Sequence, residues 1–150
     1  MKNVFHLTDK SEILYRINKL TPDTQRKWGK MTVSQMLAHL NVSYEMIYES
    51  NHPKPNFLMK FILKSFVKNM VVNDQPYKRN GQTAPAFVIK EDKDFETERA
   101  RLIAYIDQTQ ELGVAYFDGK ESHSFGSLNI SEWNNMLYKH LDHHLSQFGV

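Results

Sequence analysis

The chain has 150 residues, a formal net charge of +2 and an apolar fraction of 41%, which suits one domain (residues 1–150) with one core and gives no electrostatic case for a nucleic-acid partner. It has no cysteine; this excludes a disulfide framework, thiolate metal ligands and a cysteine nucleophile, so any thiol chemistry needs a thiol from outside. The N-terminus "MKNVFHLTDK" has no long apolar leader and no run reaches bilayer-spanning length, so the expected location is cytoplasmic, with no membrane partner.

The periodicity is mostly helical, with no βαβ alternation and no internal repeat. Asp9 or Ser11 is placed to cap a first helix running to about Leu20, with Ile13, Leu14, Ile17 and Leu20 on one side. Pro22 and Gly29 mark Thr21 to Met31 as a loop. Thr32-Val-Ser-Gln35 has the capping-box form and predicts a second helix to about Ser50, where Asn51, His52 and Pro53 stop it. Asn56 to Val72 reads as a third helix. Asn73 to Asp92 should be irregular, with a short extended piece at Ala86 to Ile89. A helix from about Lys93 to Leu112 should end at Gly113. After a loop carrying Gly119 and Gly126, the last helix starts near Asn129 or Ser131 and runs to about Phe148. The fold class is all-α: a four-helix bundle with a long crossover connection and one extra helix.

The last helix contains "YKHLDHHLSQFG", three histidines and an aspartate within five residues. Each residue turns a helix by about 100°. With His140 set at zero, the apolar residues Trp133, Leu137, Leu141, Leu145 and Phe148 centre near 80°, and His144 falls at about 40°. His143 and Asp142 fall well off that stripe. His140 and His144 therefore face the core one turn apart, where two imidazoles can share an ion. A third ligand must come from elsewhere, and His39 on the second helix borders the core beside Met36, Leu40 and Ile47. An ordinary explanation competes with this, because histidines also sit at helix C-termini for the sake of the dipole.

"KWGKMTVSQMLAHL" (Lys27 to Leu40) and "FGSLNISEWNNMLYKHLDHHLSQFG" (Phe125 to Gly149) together resemble the DinB/YfiT-like metalloenzyme superfamily, and more narrowly a branch of it whose function is unknown. The resemblance implies a bundle with a crossover and a divalent metal, zinc or nickel foremost, held by three histidines matching His39, His140 and His144. It also implies a small-molecule substrate, in some members a low-molecular-weight thiol, and so a transferase or a hydrolase; it does not say which residues are catalytic. His123, His143, Trp28 and Tyr44 are candidates for supporting the ligands or touching substrate. Glu45 and Glu49 lie one turn apart and could serve as a general base, or as a solvated face.

The Asn56 to Val72 segment carries Lys60, Lys64 and Lys68 at spacing four against Phe57, Leu58, Phe61, Ile62, Phe66 and Met70. The expected arrangement packs the apolar side on the bundle and leaves the lysines in solvent. The alternative is a non-catalytic module that uses this basic helix on a membrane surface or a partner. A homodimer through an exposed helix face is a further expectation, which nothing in the sequence fixes.

Overall fold

Two reciprocal caps start the helices that carry the histidines. In a computed structural model of the chain, which describes residues 1–150, the Thr32 hydroxyl accepts from the Gln35 N–H at 3.2 Å and the Gln35 side chain accepts from the Thr32 N–H at 3.0 Å. This opens α2, Val33–Tyr48. Asn129 and Glu132 make the same exchange at 2.9 and 3.0 Å and open α6, Ile130–Gln147. Each box satisfies donors that a helix start otherwise leaves unpaired, worth about 1 kcal/mol.

The other elements are α1 (Leu7–Asn18), α3 (Phe57–Ile62), a π-helical turn (Leu63–Val67), α4 (Lys68–Val72), a 3-10 turn (Pro85–Phe87) and α5 (Phe95–Phe117). Two-residue strands β1 (Glu121–Ser122) and β2 (Gly126–Ser127) pair antiparallel before α6. The chain is thus mostly helical, with one minimal hairpin that the sequence reading did not foresee.

Three boundaries differ from expectation for identifiable reasons. Helix α1 starts ahead of both predicted caps. Asp9 instead accepts from the Asn3 N–H at 2.8 Å from inside the first turn. Ala86 and Phe87 of the expected extended piece are not extended: Pro85 opens a 3-10 turn closed by the Phe87 N–H on the Ala84 carbonyl, and the backbone turns extended at Val88 without pairing into a strand. Gly113 does break α5, with φ of 65°, a conformation that only glycine adopts freely. The helix nevertheless resumes for another turn, because that turn buries Phe117 between Phe5 and Trp133.

One apolar core joins Ile13 and Ile17 of α1, Leu37 and Leu40 of α2, Leu102 and Ile106 of α5, and Leu137, Leu141 and Leu145 of α6. Polar pairs fix the helix directions. Asn41 meets Glu98, Glu45 meets Arg101 and Tyr48 meets Thr109, so α2 and α5 run parallel. His39 and Ser43 meet His140, while Ile47 and Trp133 line one cleft, so α2 and α6 run antiparallel. A parallel pair of helices cannot be joined by a short turn, and residues 49–94 cross over between them. Lys139 of α6 anchors this crossover by donating to the Met70 and Asn73 carbonyls at 2.9 and 2.8 Å.

The Phe57–Val72 segment reverses its expected orientation. Phe57 and Phe66 are 89% and 77% exposed, and Leu58, Phe61 and Met70 are also in solvent. Two of the lysines turn back onto the body, Lys60 to Glu121 at 3.4 Å and Lys68 to Glu132 at 2.8 Å. The acidic partners lie on the hairpin and at the start of α6. They draw the polar stripe inward, and only Val72 of the segment is buried. No helix is long and apolar enough to cross a membrane.

Candidate metal centre

His39 and His140 face each other across the α2–α6 contact with their Nε2 atoms 2.8 Å apart. His144, one turn below His140, closes the group, its ring centroid 4.5 Å from that of His39. One ring nitrogen from each of the three lies within 4.8 Å of the others. Two imidazoles on a tetrahedral ion, with bonds of about 2.0–2.1 Å, hold their nitrogens roughly 3.3 Å apart. The His39–His140 nitrogens lie inside that spacing and no separation exceeds 4.8 Å, so the donor set fits a divalent ion with small ring movements.

The outer nitrogens are all engaged. His39 Nδ1 lies 2.9 Å from the Phe87 carbonyl, which can only accept, so Nδ1 carries the proton and Nε2 turns its lone pair toward His140, from whose Nε2 it accepts in the absence of an ion. Gln147 donates its Nε2 to the Trp28 carbonyl at 2.8 Å. Its Oε1 is thereby turned to accept from His144 Nδ1 at 2.8 Å. His140 Nδ1 lies 2.9 Å from the Ser43 hydroxyl. A hydroxyl accepts as readily as it donates, so His140 can present its Nε2 lone pair beside the other two. Acceptors behind the imidazoles are how proteins orient histidine ligands and raise their basicity.

Burial acts in the same direction. His39 and His144 are 5% and 8% exposed, and the Phe87 ring packs against His39 and His140. Burial is the largest cause lowering the pKa of all three, with the other imidazoles adding to it for His140 and His144. His144 falls to about 3 and His140 well below the usual histidine range. All three are neutral near pH 7, the form that binds metal.

The family described as a protein of unknown function, DUF1569, matches residues 1–149. The chain belongs to the DUF1569 family. No curated protein and no solved structure matches it.

In this DUF1569 chain the remaining candidates sort by position. Trp28 and His143 lie beside the triad: His143 packs edge-on against His144, Trp28 and Tyr77, and the Trp28 carbonyl orients Gln147. Tyr44 is in the core, stacked on Tyr105 of α5. His123 bonds Ser124 and the His52 carbonyl in the hairpin region. Asp142 pairs with Arg16 at 2.7 Å. The base role considered for Glu45 and Glu49 is not supported. Glu45 is buried against Arg101 and His52, and Glu49 bonds the Tyr105 hydroxyl and Asn51. Both serve the α2–α5 contact, nearly two turns or more along α2 from His39.

Three residues that serve the triad were missed. Ser43 and Gln147 sit four and three residues after His39 and His144, a helical spacing that could have flagged them. Phe87 carried no such signal, because it arrives through the crossover.

Proposed function

We propose that this protein belongs to the DinB/YfiT-like superfamily, as a four-helix bundle with a long crossover, and binds a divalent metal ion for catalysis on a small-molecule substrate. His39, His140 and His144 are the ligands. The observation that carries the reading is the pair of acceptors behind His39 and His144, the Phe87 carbonyl and Gln147, which turns their lone pairs toward His140, whose other nitrogen meets the Ser43 hydroxyl. Three imidazoles leave a position open for water or substrate, and such a donor set suits zinc or nickel. A bound ion would lower the pKa of water or a thiol in that position, which supports hydrolysis or thiol-dependent transfer. The chain's own residues keep the imidazoles neutral, fix the tautomers of His39 and His144 and shield one side with the Phe87 ring. Trp28, Tyr77 and His143 stand beside His144 as the wall a substrate would meet.

Cobalt substitution tests the open position. Protein stripped with chelator and reloaded with Co²⁺ should show a ligand-field spectrum that gains a sulfur-to-metal band when 2-mercaptoethanol is added. A spectrum indifferent to thiol and to pH would mean that no exchangeable position exists.

A second reading rests on the exposed face of α3, the π turn and α4. Seven large apolar side chains are exposed there (Phe57, Leu58, Met59, Phe61, Ile62, Phe66 and Met70). They amount to roughly 800 Å², one partner's share of a standard interface. Two of the lysines that would meet anionic lipid are already paired with Glu121 and Glu132, which favours protein over membrane. We propose that a second copy of the chain covers this face in an isologous dimer. Sedimentation equilibrium tests it: a dimer is expected, and a monomer at tens of micromolar protein contradicts it.

A further inference from the structure

The formal net charge of +2 conceals an uneven distribution. Between Asp23 and Glu45, and again between Asp74 and Glu91, the chain has no acidic residue. These two spans carry Arg26, Lys27, Lys30, Lys78, Arg79 and Lys90. Six of the nineteen basic residues lie there, and the other thirteen stand against seventeen acidic ones. The rest of the chain is therefore net negative, and the positive excess sits within the two spans. The same spans supply Trp28, His39, Tyr77 and Phe87 to the metal centre. A surface of one sign beside a reacting centre raises the local concentration of oppositely charged molecules.

Arg79 is the member of this set seated at the site. Its guanidinium carbon lies over the Trp28 ring, 4.2 Å from the centroid. Trp28 packs on His143 with centroids 6.1 Å apart, and His143 packs on the ligand His144 at 5.0 Å. Arg79 is exposed, and it takes part in none of the ion pairs of the chain. Asp142, the acidic residue next to His143 on α6, is held by Arg16 at 2.7 Å. Contact with a ring face steadies a guanidinium without occupying its N–H groups. Those groups form a planar fork that matches a carboxylate or a phosphate in two parallel bonds.

We propose that the small molecule handled at the metal centre carries an oxyanion, a carboxylate or a phosphate, which Arg79 receives while the other end reaches the open position of the ion. The charge of the two spans draws the anion in, and the fork of Arg79 orients it. The oxyanion site is made by Arg79 on Trp28. Only the placement of the other end rests on the metal reading of His39, His140 and His144.

The chain has two tryptophans, so the indole N–H resonances of ¹⁵N-labelled protein are assigned with Trp28→Phe. Protein given one equivalent of Zn²⁺, its bound metal measured, is titrated with succinate and, separately, with inorganic phosphate, against potassium chloride at matched ionic strength. The Trp28 resonance should shift saturably with at least one anion and not with chloride, while Trp133 stays in place. Arg79→Gln, an exposed change, should keep its metal and lose at least tenfold in anion affinity, and Arg79→Lys should recover part of it. The anion that saturates at lower concentration is the preferred one. A Trp28 shift that follows ionic strength alone, or that is unchanged in Arg79→Gln, overturns the proposal whether or not metal is bound. Protein that binds no zinc yet shows the Arg79-dependent shift refutes the metal reading and keeps the anion site. Cobalt-loaded protein tests the link between the two. Among mercaptoalkanoates of three to eight carbons, at least one should bind at least tenfold more tightly than the mercaptoalcohol of the same length, and Arg79→Gln should abolish that advantage. No advantage at any length overturns the claim that the anion and the ion share one molecule.

Discussion

Gln147 holds His144 from one turn further along the same helix. Its Oε1 accepts from His144 Nδ1 at 2.8 Å, and its orientation is set by the bond from its Nε2 to the Trp28 carbonyl at 2.8 Å. The loop before α2 thus governs which nitrogen His144 presents. Gln147→Leu keeps the size of the side chain but removes both bonds. Metal affinity, read by competition with a chromogenic chelator, should fall about 10–100-fold. Unchanged affinity would show that His144 needs no orienting partner.

Gly29 tests the same link from the loop side. Its φ is 82°, and a Cβ there would collide with the Gln147 side-chain amide. Gly29→Ala should destabilise the fold by about 1–2 kcal/mol for the backbone alone and weaken metal binding by displacing Gln147. Chemical denaturation and the chelator competition read the two effects separately. Lost stability with intact affinity would uncouple the loop from the site.

The metal-free protein should lose stability in acid. The three imidazoles have folded-state pKa values lowered by burial, that of His144 to about 3, whereas in the unfolded chain they titrate near 6.5. Above about pH 6.5 they are neutral in both states and carry no penalty. As the pH falls from there toward about 3, the unfolded chain takes up protons that the folded chain refuses, and stability declines by on the order of a few kcal/mol. Urea denaturation in the presence of chelator should show this slope begin near pH 6.5. His144→Gln should flatten it. A stability independent of pH between 6.5 and 4 would contradict the burial argument.

Glu45 separates the α2–α5 contact from the metal centre. It is buried against Arg101 at 2.5 Å and His52 at 2.6 Å. Arg101→Met leaves the carboxylate short of its main partner. The arginine is partly exposed and screened, so the expected loss is about 2 kcal/mol, less than for a fully buried pair. Metal content should not change. A loss of metal would mean that the α2–α5 contact positions His39.

Much of this was legible in the sequence because it is local. Thr32 with Gln35 and Asn129 with Glu132 are capping boxes readable from four residues, and both formed. His39, His140 and His144 were separable from His143 because a helix fixes angles along its length. What escaped was set by contacts far apart in the chain. The lysine stripe of α3 and α4 turned inward because Glu121 and Glu132, some sixty residues on, lay beneath it. Phe87 reached His39 through a crossover with no periodicity to read, and the hairpin at Glu121 to Ser127 is too short to leave a strand pattern.

The exposed apolar face carries its own test. Phe61→Glu/Phe66→Glu changes two solvent-facing side chains, so the fold should persist while sedimentation shifts from dimer to monomer. If the wild type is already monomeric but pelleted by anionic vesicles, and the variant is not, the face meets lipid and the dimer reading fails.

The central claim is that His39, His140 and His144 hold one ion. Elemental analysis of untagged protein, purified without chelator, addresses it most directly. The account predicts about one divalent ion per chain in the wild type and in His143→Ala, and loss of that ion in His144→Ala and His39→Ala with helical content retained. A wild type with no stoichiometric metal after reconstitution, or a His144→Ala protein that keeps it, would contradict the account.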